Sequence, residues 1–383
     1  MFWRADSNKC DSQPAASHER SPRQPAGLTL LEVFVVLFLI ALLLALLIPA
    51  INSGHGREPS RRMICTNQIK QMSLAVHNYA QSNKVFPPGT ICAMKPVQPS
   101  SQYDVWAEAA KTEPGFHGTS FLLRILPYME METVFKQWDF THGVDYNAEN
   151  GSKPAQCEIK GFYCPTRRIS LRSKDSAMML TTTWTGGGTD YGGCAGRHAA
   201  FTDETGYNLC DASMVYSPSF VPVVTGRDTS VFAEKEGKSE VKVEAEETEA
   251  KRWGIFGRVN VSTGFKEISD GCSNTIMIGE LQRITDIAPR SKDGWAIGGP
   301  ATLFTTGAMM SFDGKARKSV VPPDIGTMMN NHFFGSPGSE HNGTVNFGMG
   351  DGSVRSLSTS IDPNVFALLG SMADGVPVSP ETH

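Results

Sequence analysis

The side chains able to do chemistry are scattered along the chain instead of being gathered in one motif. His341 stands nine residues ahead of Asp351-Gly352, an arrangement open to a metal pair or a catalytic dyad, with Glu280 and Asp270 as further carboxylates. The preferred reading is structural, because Asp-Gly after a strand is hairpin-turn composition: Gly supplies φ > 0 and Asp bonds its own backbone. Calcium or another oxygen-liganded ion comes second, and no D-x-D-x-D-G loop supports it. Catalysis comes last. The chain lacks a G-x-S-x-G elbow, a phosphate loop, a dinucleotide fingerprint and an H-E-x-x-H zinc helix. The run Gly186-Gly187-Gly188 has no Lys-Ser/Thr after it and reads as a turn. Trp106, Trp138, Trp184, Trp253 and Trp295 could stack on sugar rings, but core or turn anchoring is expected of them. No enzyme is expected.

The elements that must position these residues follow from composition and period. The chain has 383 residues, 40% hydrophobic and 19% charged, which excludes collagen-like and wholly disordered classes. Lys+Arg 35 against Asp+Glu 39 leaves a net charge of -4 without a basic stripe, so nucleic acid is not an expected partner. Gly 37 and Pro 23 point to a loop-rich β domain.

In the run 28–51 only Thr29 and Glu32 are polar. As a helix it would extend roughly 36 Å at about 1.5 Å per residue, enough for one membrane span. The preceding 1–27 reads as a weakly basic leader held in the cytoplasm, with the C-terminal part exported. The lipid bilayer is thus an expected partner, and the expected location is a single-pass inner membrane protein.

Beyond the span, Cys65, Ile69, Met72, Val76 and Tyr79 recur at helical steps, and Phe86-Pro87-Pro88-Gly89 ends the helix after Asn83. One long helix from near Leu30 to near Gln81 is expected, with room for a bend at Pro49 and its second half (52–85) a stalk packed on a sheet. His77, beside the stripe, reads as a packed residue. From 86 to 383 short antiparallel strands are expected, among them Phe121-Leu122-Leu123-Arg124-Ile125-Leu126, Thr275-Ile276-Met277-Ile278 and Val345-Asn346-Phe347. The Glu- and Lys-dense stretch 234–252 reads as a solvated insertion. The expected fold class is α+β.

Gly27-Leu28-Thr29-Leu30-Leu31-Glu32-Val33, followed by aliphatics and then Pro49, resembles the N-terminus of type IV prepilins and type II secretion pseudopilins. The resemblance implies a prepilin peptidase that cuts after Gly27 and methylates the new amine of Leu28, where the family more often has Phe. Glu32 then falls at mature position five and Pro49 at position 22. In such a filament the buried Glu32 carboxylate would pair with the amine of a neighbouring Leu28 and set register.

Further pieces resemble the planctomycete-type prepilin-like family of unknown function that ends in an H-x9-DG signature. They are Cys65-Thr-Asn-Gln-Ile-Lys-Gln-Met, Ala75-Val-His-Asn-Tyr79, Phe86-Pro-Pro-Gly89, Leu126-Pro-Tyr-Met-Glu130, Phe162-Tyr-Cys-Pro165 and Thr189-Asp-Tyr-Gly-Gly-Cys-Ala-Gly196. Ile268-Ser-Asp-Gly-Cys-Ser-Asn-Thr-Ile276 with Gly279-Glu280, and His341 with Asp351-Gly352, complete the set. The resemblance implies a pseudopilin-type structural subunit whose partners are the prepilin peptidase, other pilin-like subunits and the secretion or pilus machinery. The alternative is a monomeric anchored module binding, for example, polysaccharide.

Eight cysteines stand at positions 10, 65, 92, 157, 164, 194, 210 and 272. In an oxidising compartment Cys157–Cys164 and Cys194–Cys210 are local disulfide candidates and Cys65–Cys164 a longer-range one, with connectivity open. No pair has the C-x2–4-C spacing of a zinc site, and no metal is expected.

Overall fold

The structure, a computed structural model, describes residues 29–51, 57–91, 110–111, 115–197, 253–258, 261–285, 291–307, 328–332, 335–376 and 378. It divides into two units, Met1–His55 and Gly56–His383.

The first unit contributes helix α1, Leu30–Ile51. Its first turn is closed reciprocally: the Thr29 N–H donates to Glu32 Oε2 at 2.8 Å and the Glu32 N–H donates to Thr29 Oγ1 at 3.3 Å. Thr29-x-x-Glu32 is therefore a capping box. These bonds, the backbone one foremost, hold the Glu32 carboxyl below its ordinary value.

Among the described residues no helix is long and apolar enough to cross a membrane. This corrects the expected membrane-spanning helix over 28–51. With it are corrected the single-pass inner-membrane location and the anchored, peptidase-processed subunit together with its anchored-module alternative. The expected long N-terminal helix is also corrected: the helices described there are α1, Leu30–Ile51, and a helix α2, Arg57–Asn83.

In the second unit α2 places Cys65, Ile69, Met72, Val76 and Tyr79 in the core, as their spacing predicts. It lies on a five-stranded open sheet of order β3-β1-β2-β4-β5. The strands are β1 (Tyr191–Cys194), β2 (Ile276–Glu280), β3 (Leu303–Phe304), β4 (Thr344–Met349) and β5 (Val354–Ser358). The expectation of antiparallel pairing needs correction at one edge, where β3 runs parallel to β1. Gly193 N–H donates to Thr302 O and Ala195 N–H to Phe304 O, both at 2.8 Å. Residue alternation is the same for either strand direction, so the sequence pattern carries no signal for this pair.

Period 2 along β4 separates two cores. Val345, Phe347 and Met349 pack with Phe366 and Leu369 of the C-terminal helix Pro363–Gly370. The other face carries Gly348, whose missing Cβ leaves room for Ser73 and Ile69 of α2. Lys70 Nζ donates to Gly352 O at 2.6 Å and ties α2 to the β4–β5 turn.

The run 121–126, expected as a strand, is the short helix Phe121–Ile125, because Ser120 Oγ caps it by accepting the Leu122 N–H at 3.1 Å. Trp138, Trp184, Trp253 and Trp295 are buried anchors. Trp106 and the insertion 234–252 lie outside the described residues.

Candidate functional site

Four of the chemistry-bearing residues meet at one buried point. Cys65 comes from α2, Cys164 from the loop after the turn Lys160–Phe162, Glu280 from the end of β2 and His341 from the loop leading into β4. Their ligand atoms all lie within 4.8 Å of one another. The Cys65 and Cys164 sulfurs are 3.0 Å apart, both as free thiols. Cys164 Sγ is 3.7 Å from His341 Nε2, which lies 3.3 Å from Glu280 Oε1. That last contact has ion-pair distance without hydrogen-bond geometry, so Glu280 Oε1 is buried without a hydrogen bond. The other carboxylate oxygen, Glu280 Oε2, accepts from the Asn346 N–H at 2.8 Å and from Asn346 Nδ2 at 3.0 Å.

A second layer orients these groups. His341 Nδ1 is 2.7 Å from Glu58 Oε1 at the start of α2, and the His341 N–H donates to Ser339 Oγ at 3.0 Å. Tyr191 of β1 donates its hydroxyl to Gln68 on α2 at 2.7 Å. The Cys164 N–H donates to Asp190 Oδ2 at 3.0 Å, and the Arg167 and Arg168 N–H groups donate to Cys164 O.

Behind this loop Arg168 is fully buried. It pairs with Asp175 at 3.1 Å, Asp190 at 2.8 Å and Asp293 at 2.7 Å. Burial alone would raise the Asp293 carboxyl, but the charges of Arg168 and Arg283 hold it below its ordinary value. Arg167 reaches Leu281 O, next to Glu280, and Gly338 O, close to His341. The same cationic loop therefore holds the Cys164, β2 and His341 segments in one arrangement.

The electrostatics follow from this packing. The hydrogen bond from Cys65 leads the effects that bring the Cys164 thiol down to about 4, while Cys65 itself is pushed far up by that bond and by burial. Burial would lower His341, but Cys164 and Glu280 outweigh it and raise the imidazole to about 10. Burial raises Glu280. In the ion-free centre these directions favour charge on Cys164 and His341, and a bound ion would displace the protons. The same donor set, two sulfurs, one imidazole and one carboxylate, is also able to hold a transition metal. A surface hollow lined by Glu58, Arg62, Thr66 and His341 adjoins it.

His341 and Asp351 do not form a dyad. The six residues of β4 stand between them and at about 3.4 Å per residue separate them by roughly 20 Å. Asp351 instead makes the turn, accepting the Ser353 N–H at 2.8 Å, with Gly352 at φ 79°. His77 lies beside that turn and stacks on Phe265. Asp270 accepts the Asp374 and Gly375 N–H groups and is remote in role from Glu280.

Cys164 faces Cys65 and is not joined to Cys157, whose carbonyl accepts from Trp295 Nε1 at 3.0 Å. Cys194 is buried with its thiol towards Gly370 O. Gly27, Leu28 and Cys210 lie outside the described residues; Pro49 falls within α1, its side chain outside them.

Sequence reasoning missed Cys65 as part of a ligand set and missed Glu58, Tyr191 and Asn346. One signal was legible: Glu280 closes the apolar run Ile276-Met-Ile-Gly, where a carboxylate is costly unless it has a partner.

An open mixed sheet covered by one long amphipathic helix, with a thiol–imidazole–carboxylate centre at their junction, defines the class of domain. Residues 54–364 match the family described as "Protein of unknown function (DUF1559)", a planctomycete-type prepilin-like family, and the chain belongs to it. Partners associated with pili or secretion follow at that coarse level. No curated protein and no solved structure matches the chain.

Proposed function

We propose that the second unit is a non-enzymatic interaction domain working among pilus- or secretion-associated partners, with the Cys65–Cys164–Glu280–His341 centre bracing it internally. The observation that carries this reading is the burial of all four reactive groups of that centre. Cys65 is 0%, Cys164 2%, Glu280 1% and His341 3% exposed. A nucleophile or general base has to touch its substrate, and these side chains touch α2, β2, β4 and the Cys164 loop instead. Their chemistry is spent on joining four segments distant in sequence, which keeps the shape of the domain constant while its surface loops meet a partner.

Cross-linking the full chain in its own cells, followed by mass spectrometry, tests the reading. Cross-links from surface lysines to pilus or secretion components are expected, and a thiol-directed activity probe should leave Cys164 unlabelled in the native protein. Rapid labelling of Cys164 in the folded protein, or cross-links to none of those components, would overturn it.

A further inference from the structure

Counting lone pairs at the buried centre leads beyond a bracing role. Glu58 is a carboxylate at the surface, 46% exposed in its side chain, and sits 2.7 Å from His341 Nδ1. A carboxylate accepts, so Nδ1 carries the proton, and Nε2 is the ring nitrogen that turns inward, presenting a lone pair once it gives up its own proton, as ligation of a metal requires. What Nε2 meets there is Cys164 Sγ at 3.7 Å and Glu280 Oε1 at 3.3 Å, with Cys65 Sγ 3.0 Å beyond Cys164. Glu280 Oε1 has no hydrogen-bond donor, while its partner oxygen has two, both from Asn346. Acceptors converge on one buried point from four segments, and a cation at that point would satisfy all of them.

We infer that Cys65, Cys164, Glu280 and His341 form a structural zinc site, oriented from outside by Glu58 and Asn346. Thiolate and imidazole ligands select against calcium and magnesium, which take oxygen. Four protein ligands leave no open position, the mark of a structural and not a catalytic zinc.

Tetrahedral geometry with Zn–S of about 2.3 Å and Zn–N or Zn–O of about 2.0–2.1 Å requires ligand separations of about 3.8 Å for S–S, 3.6 Å for S–N and 3.3 Å for N–O. The S–N and N–O edges stand at 3.7 and 3.3 Å. The sulfurs, at 3.0 Å, must part by about 0.8 Å, which a rotation of about 30° about one Cα–Cβ bond supplies. Glu58 and Asn346 act as the outer partners that metal-bound histidine and carboxylate ligands commonly have. The hollow lined by Glu58, Arg62, Thr66 and His341 opens beside the site.

The site goes beyond the interaction reading, and its failure leaves partner cross-linking untouched. The test uses the full chain, purified reduced and without chelators, and reads metal by elemental mass spectrometry. One zinc per chain is expected, and replacement by cobalt should give tetrahedral d–d bands with a thiolate charge-transfer band. Cys164→Ser and Glu280→Gln should lose stoichiometric zinc. Glu58→Gln lies at the surface, so the fold should survive while zinc affinity falls about 10–100-fold. The inference is overturned by a reduced, folded chain that takes up no zinc, or by Glu58→Gln and Glu280→Gln binding it as the parent does. A native Cys65–Cys164 disulfide that yields no zinc binding after reduction overturns it as well.

Discussion

The helix meets the sheet at Gly348 with no room for a Cβ, and Gly348→Ala measures how tightly α2 must sit. A Cβ built there would lie 2.5 Å from Ser73 Oγ and 2.9 Å from Ile69 Cγ2. Comfortable carbon contacts begin at about 3.5 Å, so α2 must retreat from β4 by roughly 0.6–1 Å. Both Ile69 and Ser73 are fully buried, with no solvent side to turn towards. Overpacking of this kind costs about 1–3 kcal/mol, and the upper half of that range is expected because the obstacle comes from both residues at once. Cys65 lies one turn before Ile69, so the same retreat draws it away from Cys164. Equilibrium urea unfolding of Gly348→Ala, Ile69→Ala and the double variant gives the coupling. Ile69→Ala alone should destabilise by about 2–5 kcal/mol, whereas in the Gly348→Ala background it should cost at least about 1 kcal/mol less, since the cavity admits the new methyl group. A Gly348→Ala variant within about 0.5 kcal/mol of the parent, or a strictly additive double variant, would refute the close-packing argument.

Other positions are equally open to measurement. Burial, reinforced by the charge of Arg124, pushes His117 down to about 4. The unfolded chain therefore binds more protons between about pH 6.5 and 4, and stability should fall through that window on acidification by up to about 3 kcal/mol. The difference in unfolding free energy between parent and His117→Gln against pH isolates it, and a flat difference would contradict the assignment. Arg168→Met strips a fully buried cation from Asp175, Asp190 and Asp293. Because Arg172, Arg167 and Arg283 still reach those carboxylates, a loss near the lower end of about 3–5 kcal/mol is expected by chemical denaturation; an unchanged midpoint would remove the network from the list of stabilising features. Gly352→Ala forces a side chain into φ 79° and sets its Cβ 3.2 Å from the His77 ring, so a loss of about 1–2 kcal/mol is expected in the same assay, and a stabilised variant would contradict the turn geometry.

Local patterns settled much before any coordinates. The four-three spacing from Cys65 to Tyr79 specified a helix and its buried face, since only a 3.6-residue period brings those side chains together. Asp351-Gly352 specified the β4–β5 turn, because the positive φ there suits Gly and the Asp bonds its own backbone. The segments carrying the prepilin-like resemblance placed the chain in its family, which the match over 54–364 shows.

What local pattern could not decide was direction, continuity and convergence. Alternation in β3 is blind to whether its neighbour runs parallel. The apolar run 28–51 looked like one span joined to a stalk, whereas the described helices are α1 and α2 and no described helix is long and apolar enough to cross a membrane. The run 121–126 has strand composition, yet Phe121–Ile125 is a buried helix capped by the Ser120 hydroxyl.

The centre is the clearest case. Cys65, Cys164, Glu280 and His341 are separated by long stretches of sequence, with no motif spacing to link them. Only the pairing of β1, β2 and β4 under α2 brings their atoms within 4.8 Å. Sequence determines which side chains are available and which face of an element they occupy; tertiary packing alone determines which of them share a low-dielectric point where their lone pairs must be satisfied together.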